Sequence, residues 1–185
     1  ILRSLDYHQR RLDATIAARV GGSALISLRE ALDVPQECRS GLFKCRVVYT
    51  SQVHLVEFVP YRRKPVRSFT LADGGAIDYS FKYEDRSALD ALRAHYPEAD
   101  EIIIVKDGVL TDSSASNIVF EKNGAFVTPS DALLAGTMRA KLLSENAVTA
   151  RRLTPADIPS FDRVHFINAM NALGESTLSI HAHTV

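Results

Sequence analysis

The sequence lacks the features that mark secreted, membrane-spanning and nucleic-acid-binding proteins. Only two of its 185 residues are cysteines, Cys38 and Cys45, which are too few for a disulfide framework, so we predict free thiols in a reducing cytoplasm. No apolar run approaches about 18 residues, so we expect no transmembrane helix. The 22 Lys and Arg residues equal the 22 Asp and Glu residues, and this balance argues against general binding to nucleic acid or to an anionic membrane.

Several motifs of common enzyme classes are also absent. No Gly-x-Gly-x-x-Gly follows a predicted strand, and there is neither a Gly-Lys-Ser phosphate loop nor a His-Glu-x-x-His segment. His181 and His183 could chelate a metal, but they lie in a terminal segment without a third ligand, so we interpret them as part of a solvated tail. The chain begins with Ile1 and without a signal-peptide pattern, and we expect the natural N-terminus to lie before it.

The hydrophobic pattern predicts an α+β fold with two lobes. Helical spacing predicts helices over residues 5–20, 24–32, 85–96 and 137–144, with Asp85 as the cap of the third. β-rich runs predict strands over residues 42–49, 53–59, 66–71, 101–106, 117–121, 125–128, 148–153 and 164–167, the first three forming an antiparallel meander. Asp107-Gly108 and Asn123-Gly124 predict tight hairpins. A soft boundary near residues 73–79 divides a smaller N-terminal lobe (1–75) from a larger C-terminal lobe (76–185).

Residues capable of chemistry are spread over five short segments. They are His8-x-x-Arg11, Lys82-x-x-Asp85-Arg86, Gly108…Asp112…Asn117, Thr128-Pro129…Leu134-x-Gly136-Thr137-Met138-Arg139 and Asn168-Ala169-Met170. In this order and approximate spacing they resemble the class IV (fold type IV) pyridoxal-phosphate enzymes, which include branched-chain and D-amino-acid aminotransferases and aminodeoxychorismate lyases. The resemblance is strongest over residues 79–139, and this chain is shorter than typical members. It implies a two-lobe fold with a larger, mostly antiparallel β C-terminal lobe, and a homodimer.

The resemblance assigns the catalytic role to Lys82. This residue stands at the position of the family lysine, which forms a Schiff base with pyridoxal 5'-phosphate and moves the proton at the substrate α-carbon. Asp112 stands where the family usually has a glutamate beside the pyridine nitrogen, and aspartate keeps the charge although it is one methylene shorter. We therefore expect Asp112 to keep that nitrogen protonated. The alternative interpretations are a solvated surface lysine and an aspartate at the end of a hairpin strand.

Two segments and one arginine are candidates for holding the phosphate. Arg11 matches the family arginine that pairs with this group, although it could also be an exposed helix arginine. Another candidate is the start of the predicted helix 137–144, at Gly136, Thr137 and Met138. The first N–H groups of a helix favour an anion. Asn168 and Ala169 form a second candidate phosphate loop, as implied by their position in the lyase branch.

The remaining polar residues carry weaker assignments. Arg46 and Arg63 could bind a substrate carboxylate, as could Arg62, but a charged strand edge or loop explains each of them equally well. We interpret His8 as a structural histidine rather than a general base, and Asn117 as a residue that holds its hairpin in place.

The sequence therefore predicts a pyridoxal-phosphate-dependent enzyme for a small amine or amino-acid substrate, with no nucleic-acid or membrane partner. The resemblance leaves two reactions open, transamination and the elimination that an aminodeoxychorismate lyase performs. The segments around Lys82 and Asn168 resemble the lyase branch and favour it slightly. The alternative from another class is a non-catalytic descendant that keeps the fold as a binding module, which the shortened first lobe and Asp112 motivate.

Overall fold

The chain forms two compact units, Ile1–Lys64 and Pro65–Val185. The computed structural model describes residues 1–21, 25–75 and 77–181. The division falls before the predicted boundary after residue 75, because the strand Phe69–Asp73 pairs with Glu101–Lys106 of the second unit. No helix within the three described ranges is both long and apolar enough to cross a bilayer.

Unit 1 combines two helices with a two-stranded antiparallel sheet. Its elements are α1 (Leu5–Arg19), α2 (Leu28–Ala31), a 3₁₀ turn (Gln36–Cys38), β1 (Phe43–Tyr49) and β2 (Val53–Pro60). The apolar stripe of α1 buries Leu12 and Ile16 against Leu28, with Val47 of β1 packed on the same cluster. The second predicted helix, over residues 24–32, is shorter in the structure, where α2 is a single turn. Residue 24 lies outside the described residues.

Unit 2 is built on an eight-stranded sheet with helices on its connections. Its strands are β3 (Phe69–Asp73), β4 (Glu101–Lys106), β5 (Val109–Ser113), β6 (Asn117–Lys122), β7 (Ala125–Pro129), β8 (Thr149–Arg151), β9 (Arg163–Ile167) and β10 (Thr177–Ser179). The order is β10-β9-β6-β5-β4-β3, with β7 paired to β6 and β8 paired to β7. Only β3–β4 and β7–β8 are parallel among these pairs, so the prediction of an α+β fold with a mostly antiparallel larger lobe is confirmed.

The prediction for the third strand was wrong in its bounds and in its partner. It was expected at residues 66–71 in a meander with β1 and β2, but β3 spans Phe69–Asp73 and runs parallel to β4, with Leu71 opposite Ile103. The reason is the apolar run of β4, since Ile103 is fully buried and a strand buried on both faces needs a neighbour along each edge. The backbone N–H of Glu101 also donates to the Ser68 carbonyl, which fixes the start of the pair.

Both predicted hairpin turns are present. Asp107 and Gly108 have φ angles of 51° and 76°, and Asn123 and Gly124 have 49° and 77°. Positive φ at both central residues is the geometry of the tight turn whose twist matches that of paired strands. The turns therefore set the register of β4 with β5 and of β6 with β7.

Two helices complete unit 2. They are α3 (Ser87–Ala94) and α4 (Thr137–Ser144), and a 3₁₀ segment, Pro155–Ser160, precedes β9. Arg86, rather than the predicted Asp85, occupies the cap position of α3, although the Asp85 carboxylate accepts a bond of 2.8 Å from the Ser87 N–H. β10 was not predicted, because a three-residue strand carries too little pattern to be seen in the sequence.

Candidate active site

The centre of the candidate site is the carboxylate of Asp112. This residue is only 5% exposed, on a strand whose five residues are all buried. Its Oδ1 accepts a hydrogen bond of 2.7 Å from Asn117 Nδ2, and its Oδ2 accepts one of 2.8 Å from the Leu134 N–H. The fold thus holds an acidic group inside the protein at the end of β5.

Burial raises the pKa of the Asp112 carboxyl from its ordinary value of 3.8 to about 6. Hydrogen bonds from Leu134 and Asn117 and the positive charge of Arg139 oppose this shift, because they stabilise the charged form. Burial also lowers the pKa of Arg139, while Asp112 raises it. A positive charge placed beside Asp112 would therefore favour the ionised carboxylate.

The start of α4 lies against the same strand end. Gly136 caps this helix and packs on the Asn117 side chain, and Thr137, the first helical residue, is 4% exposed. Met138 packs into an apolar cluster with Ile167 of β9. Because the first N–H groups of a helix have no partner within it, they form a natural anion site at this end.

The segment after β9 forms a tight turn at the same end of the sheet. Asn168 Oδ1 accepts bonds of 2.8 Å from the Met170 N–H and 3.0 Å from the Asn171 N–H. Its Nδ2 donates to Ser116 Oγ at 2.9 Å, directly before β6. Asn168 therefore fixes the turn that carries the exposed Ala169 and joins it to the β5–β6 connection.

Lys82 is an exposed residue between β3 and α3. Its Nζ is 5.5 Å from the centroid of the buried Tyr79 ring, and the guanidinium of Arg86 is 5.8 Å from the same ring. Arg86 Nη2 also donates to the Ser114 carbonyl at 3.0 Å, so the lysine segment is tied to the β5–β6 turn. Beside this segment lies a cavity of about 360 Å³ whose walls include Tyr79, Tyr83 and Arg86.

Two arginines have structural roles that the sequence did not assign. Arg86 joins the Lys82 segment to the β5–β6 turn, as described. Arg139 Nη2 donates to the Pro129 carbonyl at 2.8 Å and its Nε to Thr128 Oγ1 at 3.3 Å, which ties α4 to the end of β7. Both arginines belong to the quoted motifs, so the motif spacing was the signal that could have identified them.

The other sequence candidates belong to unit 1. Arg11 lies on α1 with His8, and burial together with the Arg11 charge lowers the pKa of His8 to about 4, so this histidine is neutral at physiological pH. Arg46 Nη1 is 2.8 Å from Glu57 Oε1 across β1 and β2, and it therefore already has a carboxylate partner. Arg63 is exposed in the segment after β2.

The described part of the chain brings together no group of three or more His, Cys, Asp or Glu side chains that could hold a metal ion. Within unit 2, the structure gathers Asp112, Gly136, Thr137 and Asn168 around the start of β6 at Asn117. Arg86 attaches the Lys82 connection to the adjacent turn. The arrangement thus combines a buried carboxylate, a helix start and an asparagine turn.

Known proteins resemble this chain in sequence and in fold. The family model described as "Amino-transferase class IV" matches residues 85–174. An uncharacterized protein of Haemophilus influenzae is 34% identical over 174 residues, which cover 93% of each chain. The crystal structure of a candidate 4-amino-4-deoxychorismate lyase from Haemophilus somnus has a TM-score of 0.84 and 33% identity over 92% of this chain and 91% of that one.

A hypothetical aminotransferase from Mycobacterium tuberculosis, solved in a PLP-bound form, has a TM-score of 0.74 at 17% identity and covers 91% of this chain and 73% of that one. At this identity the likeness concerns the fold alone. The relatives above 30% identity span nearly the whole chain. The segment that the family model matches, residues 85–174, contains Asp112, Gly136 and Asn168. The chain belongs to the class IV aminotransferase family.

Proposed function

We propose that this chain is a pyridoxal-phosphate-dependent enzyme that acts on a small amine or amino acid, as an aminodeoxychorismate lyase or as an amino-acid aminotransferase. The observation that carries this proposal is the meeting of the Asp112 carboxylate, the α4 start and the Asn168 turn around the first residue of β6. The likeness to a candidate 4-amino-4-deoxychorismate lyase supports the lyase as the first reaction to test.

The donor set fits a cofactor that has a basic ring nitrogen and a phosphate. Asp112 offers a buried carboxylate to a cationic nitrogen, and the hydrogen bonds that its oxygens accept from Asn117 and Leu134 favour its charged form. The N–H groups of Thr137 and Met138 at the start of α4 and the Asn168-Ala169 turn would hold the phosphate. Gly136 would line this site as the helix cap, with its own N–H donated to the Leu134 carbonyl at 2.8 Å. Arg11 as a further phosphate ligand stays a prediction, as do Arg46 and Arg63 as substrate ligands.

Each residue then has a defined task. When bound, pyridoxal phosphate supplies an aldehyde that binds amines covalently and a ring that takes up electrons from the substrate α-carbon. Lys82 would hold the cofactor covalently, and its Nζ, once the substrate amine has displaced it, would accept and return the α-carbon proton. Asp112 would stay ionised beside the ring nitrogen, because the positive charge on that nitrogen would lower the raised pKa of the carboxyl.

Covalent attachment at Lys82 is the first prediction. The purified protein with added pyridoxal phosphate should show a visible absorption band, and borohydride reduction followed by peptide mass mapping should find the adduct on Lys82. Lys82→Ala should lose the band and the adduct. Lys122→Ala is the matched control, because Lys122 is an exposed lysine at the far end of β6, and it should behave as the parent.

The outcomes separate the candidate functions. Pyruvate release from aminodeoxychorismate would establish the lyase, and amino transfer from an amino acid to 2-oxoglutarate would establish the aminotransferase. An adduct on Lys82 without turnover of either kind would favour the binding module, and a chain that forms no adduct would contradict the proposal. We further propose that the enzyme is a cytoplasmic homodimer without nucleic-acid or membrane partners.

A further inference from the structure

The side chain of Asn117 connects two parts of the candidate site that are far apart in sequence. Its Nδ2 donates to Asp112 Oδ1 at 2.7 Å and to the Leu134 carbonyl at 3.0 Å. The Leu134 N–H donates back to Asp112 Oδ2 at 2.8 Å, which closes a ring of three hydrogen bonds. Asn117 is only 5% exposed, so these bonds form away from water, where a lost partner is costly.

Gly136 makes room for this ring. A Cβ atom at position 136 would lie 1.8 Å from Asn117 Oδ1 and 3.0 Å from its Cγ, well inside the contact distance of the atoms. The backbone of Gly136 is extended, with φ −68° and ψ 141°, so any residue could adopt it. Glycine is therefore needed here for space and not for conformational freedom.

We infer that Asn117 is a positioning residue that fixes the Asp112 carboxylate and the start of α4 relative to each other. This inference rests on the proposed function, in which these two groups hold the ring nitrogen and the phosphate of one cofactor. Because one cofactor molecule would have to reach both points, the carboxylate and the helix start must keep a separation that it can span. The amide of Asn117, confined by Gly136, provides that constraint.

A double-mutant cycle on the cofactor-free protein tests the contact between Asn117 and Gly136. Gly136→Ala in the parent should lower the folding equilibrium constant, measured by urea unfolding, by about tenfold or more, because the new methyl group displaces the Asn117 amide. In an Asn117→Ala background the same substitution should change the constant by less than about threefold. If Asn117→Ala does not fold, Asn117→Ser also removes the amide and serves as the background. Equal effects of Gly136→Ala in both backgrounds would overturn the inference.

A titration distinguishes positioning from a general contribution to stability. The Asp112 side-chain carbon can be followed by NMR against pH in the cofactor-free protein. Asn117→Ala, or Asn117→Ser, should raise the Asp112 pKa above the parent value, because a donor to the charged form is lost. Thr111→Val is the matched control, since Thr111 is 2% exposed on the same strand and bonds instead to the Ile104 carbonyl at 3.0 Å. It should lower stability without moving the Asp112 pKa.

The positioning role of Asn117 and the proposed enzyme function can be refuted independently of each other. An Asp112 pKa that stays unchanged in the Asn117 variants, or that moves equally in Thr111→Val, would refute the positioning role even if Lys82 carries the cofactor. Conversely, a non-additive cycle and a raised Asp112 pKa would uphold the positioning role even if no adduct forms on Lys82. Where the adduct does form, Asn117→Ala should also weaken binding of pyridoxal phosphate by about tenfold, which is about 1.4 kcal/mol.

Discussion

Asp112 makes the stability of the protein depend on pH. Its pKa is raised from 3.8 to about 6 in the folded state, so the folded protein holds this proton over a range in which the unfolded chain has released it. The stabilisation from the protonated group is therefore fully present below about pH 4 and is lost as the pH rises through about 6. The difference in pKa corresponds to about 3 kcal/mol at most.

Asp112→Asn should remove this pH dependence in the cofactor-free protein. Asparagine cannot ionise, so the unfolding free energy of the parent minus that of the variant should fall by up to about 3 kcal/mol between about pH 4 and pH 7. Urea unfolding of both proteins at several pH values measures this difference. Asp131→Asn, at an exposed position, serves as the control and should follow the slope of the parent. Parallel curves for the parent and Asp112→Asn would contradict the raised pKa.

At the residue scale, motif order was enough to predict which side chains to consider but not which of them meet. Asp112 and Asn117 are close in sequence, and their pairing on neighbouring strands could be anticipated. The contact of Asn117 with Gly136 could not, because it depends on how the segment before α4 folds back over the strand ends. The bond from Arg86 to the Ser114 carbonyl has the same long-range origin.

At the scale of elements, the accuracy of prediction follows the distance between the partners. Asp107-Gly108 and Asn123-Gly124 were predicted as turns, because the two central residues of such a turn determine its geometry. The partner of β3 was predicted wrongly, because parallel pairing with β4 joins strands on either side of α3. A β-rich run indicates a strand but does not indicate its neighbour.

The hairpin of β6 and β7 depends on Gly124. Its φ is +77°, and a Cβ atom added there would meet nothing within 4 Å, so the only cost of a side chain is backbone strain. Gly124→Ala should therefore lower the free energy of unfolding by about 1 kcal/mol, as measured by urea unfolding. Lys122→Ala, at the exposed end of the same hairpin, should change it far less. A Gly124→Ala variant as stable as the parent would show that the turn adopts another geometry.

At the scale of the whole molecule, the fold class and the mostly antiparallel sheet followed from the sequence, and the two compact units divide before the expected lobe boundary. The expected boundary after residue 75 left the predicted strand 66–71 in the first lobe, because that strand was expected in a meander with the two strands before it. Composition carries no information on which sheet a strand joins. The pairing with β4 places it in unit 2.

The proposed homodimer is testable by mass and by dilution. Light scattering of the purified protein should give twice the chain mass of 20.4 kDa at micromolar concentration. If the site requires both subunits, the fraction of protein that carries cofactor should fall as the dimer dissociates on dilution, by mass action. A mass of 20.4 kDa at all concentrations, with cofactor bound, would refute the dimer.

The pairing of β6 with β9 has a consequence for the order of events during folding. The β4–β5 and β6–β7 hairpins join neighbouring segments and can close within microseconds, but β9 must return from far along the chain to pair with Asn117 and its successors. Asn168 reaches Ser116 only after that closure. The ability to hold the cofactor should thus be the last property that a refolding chain acquires, well after most of its strand content has formed.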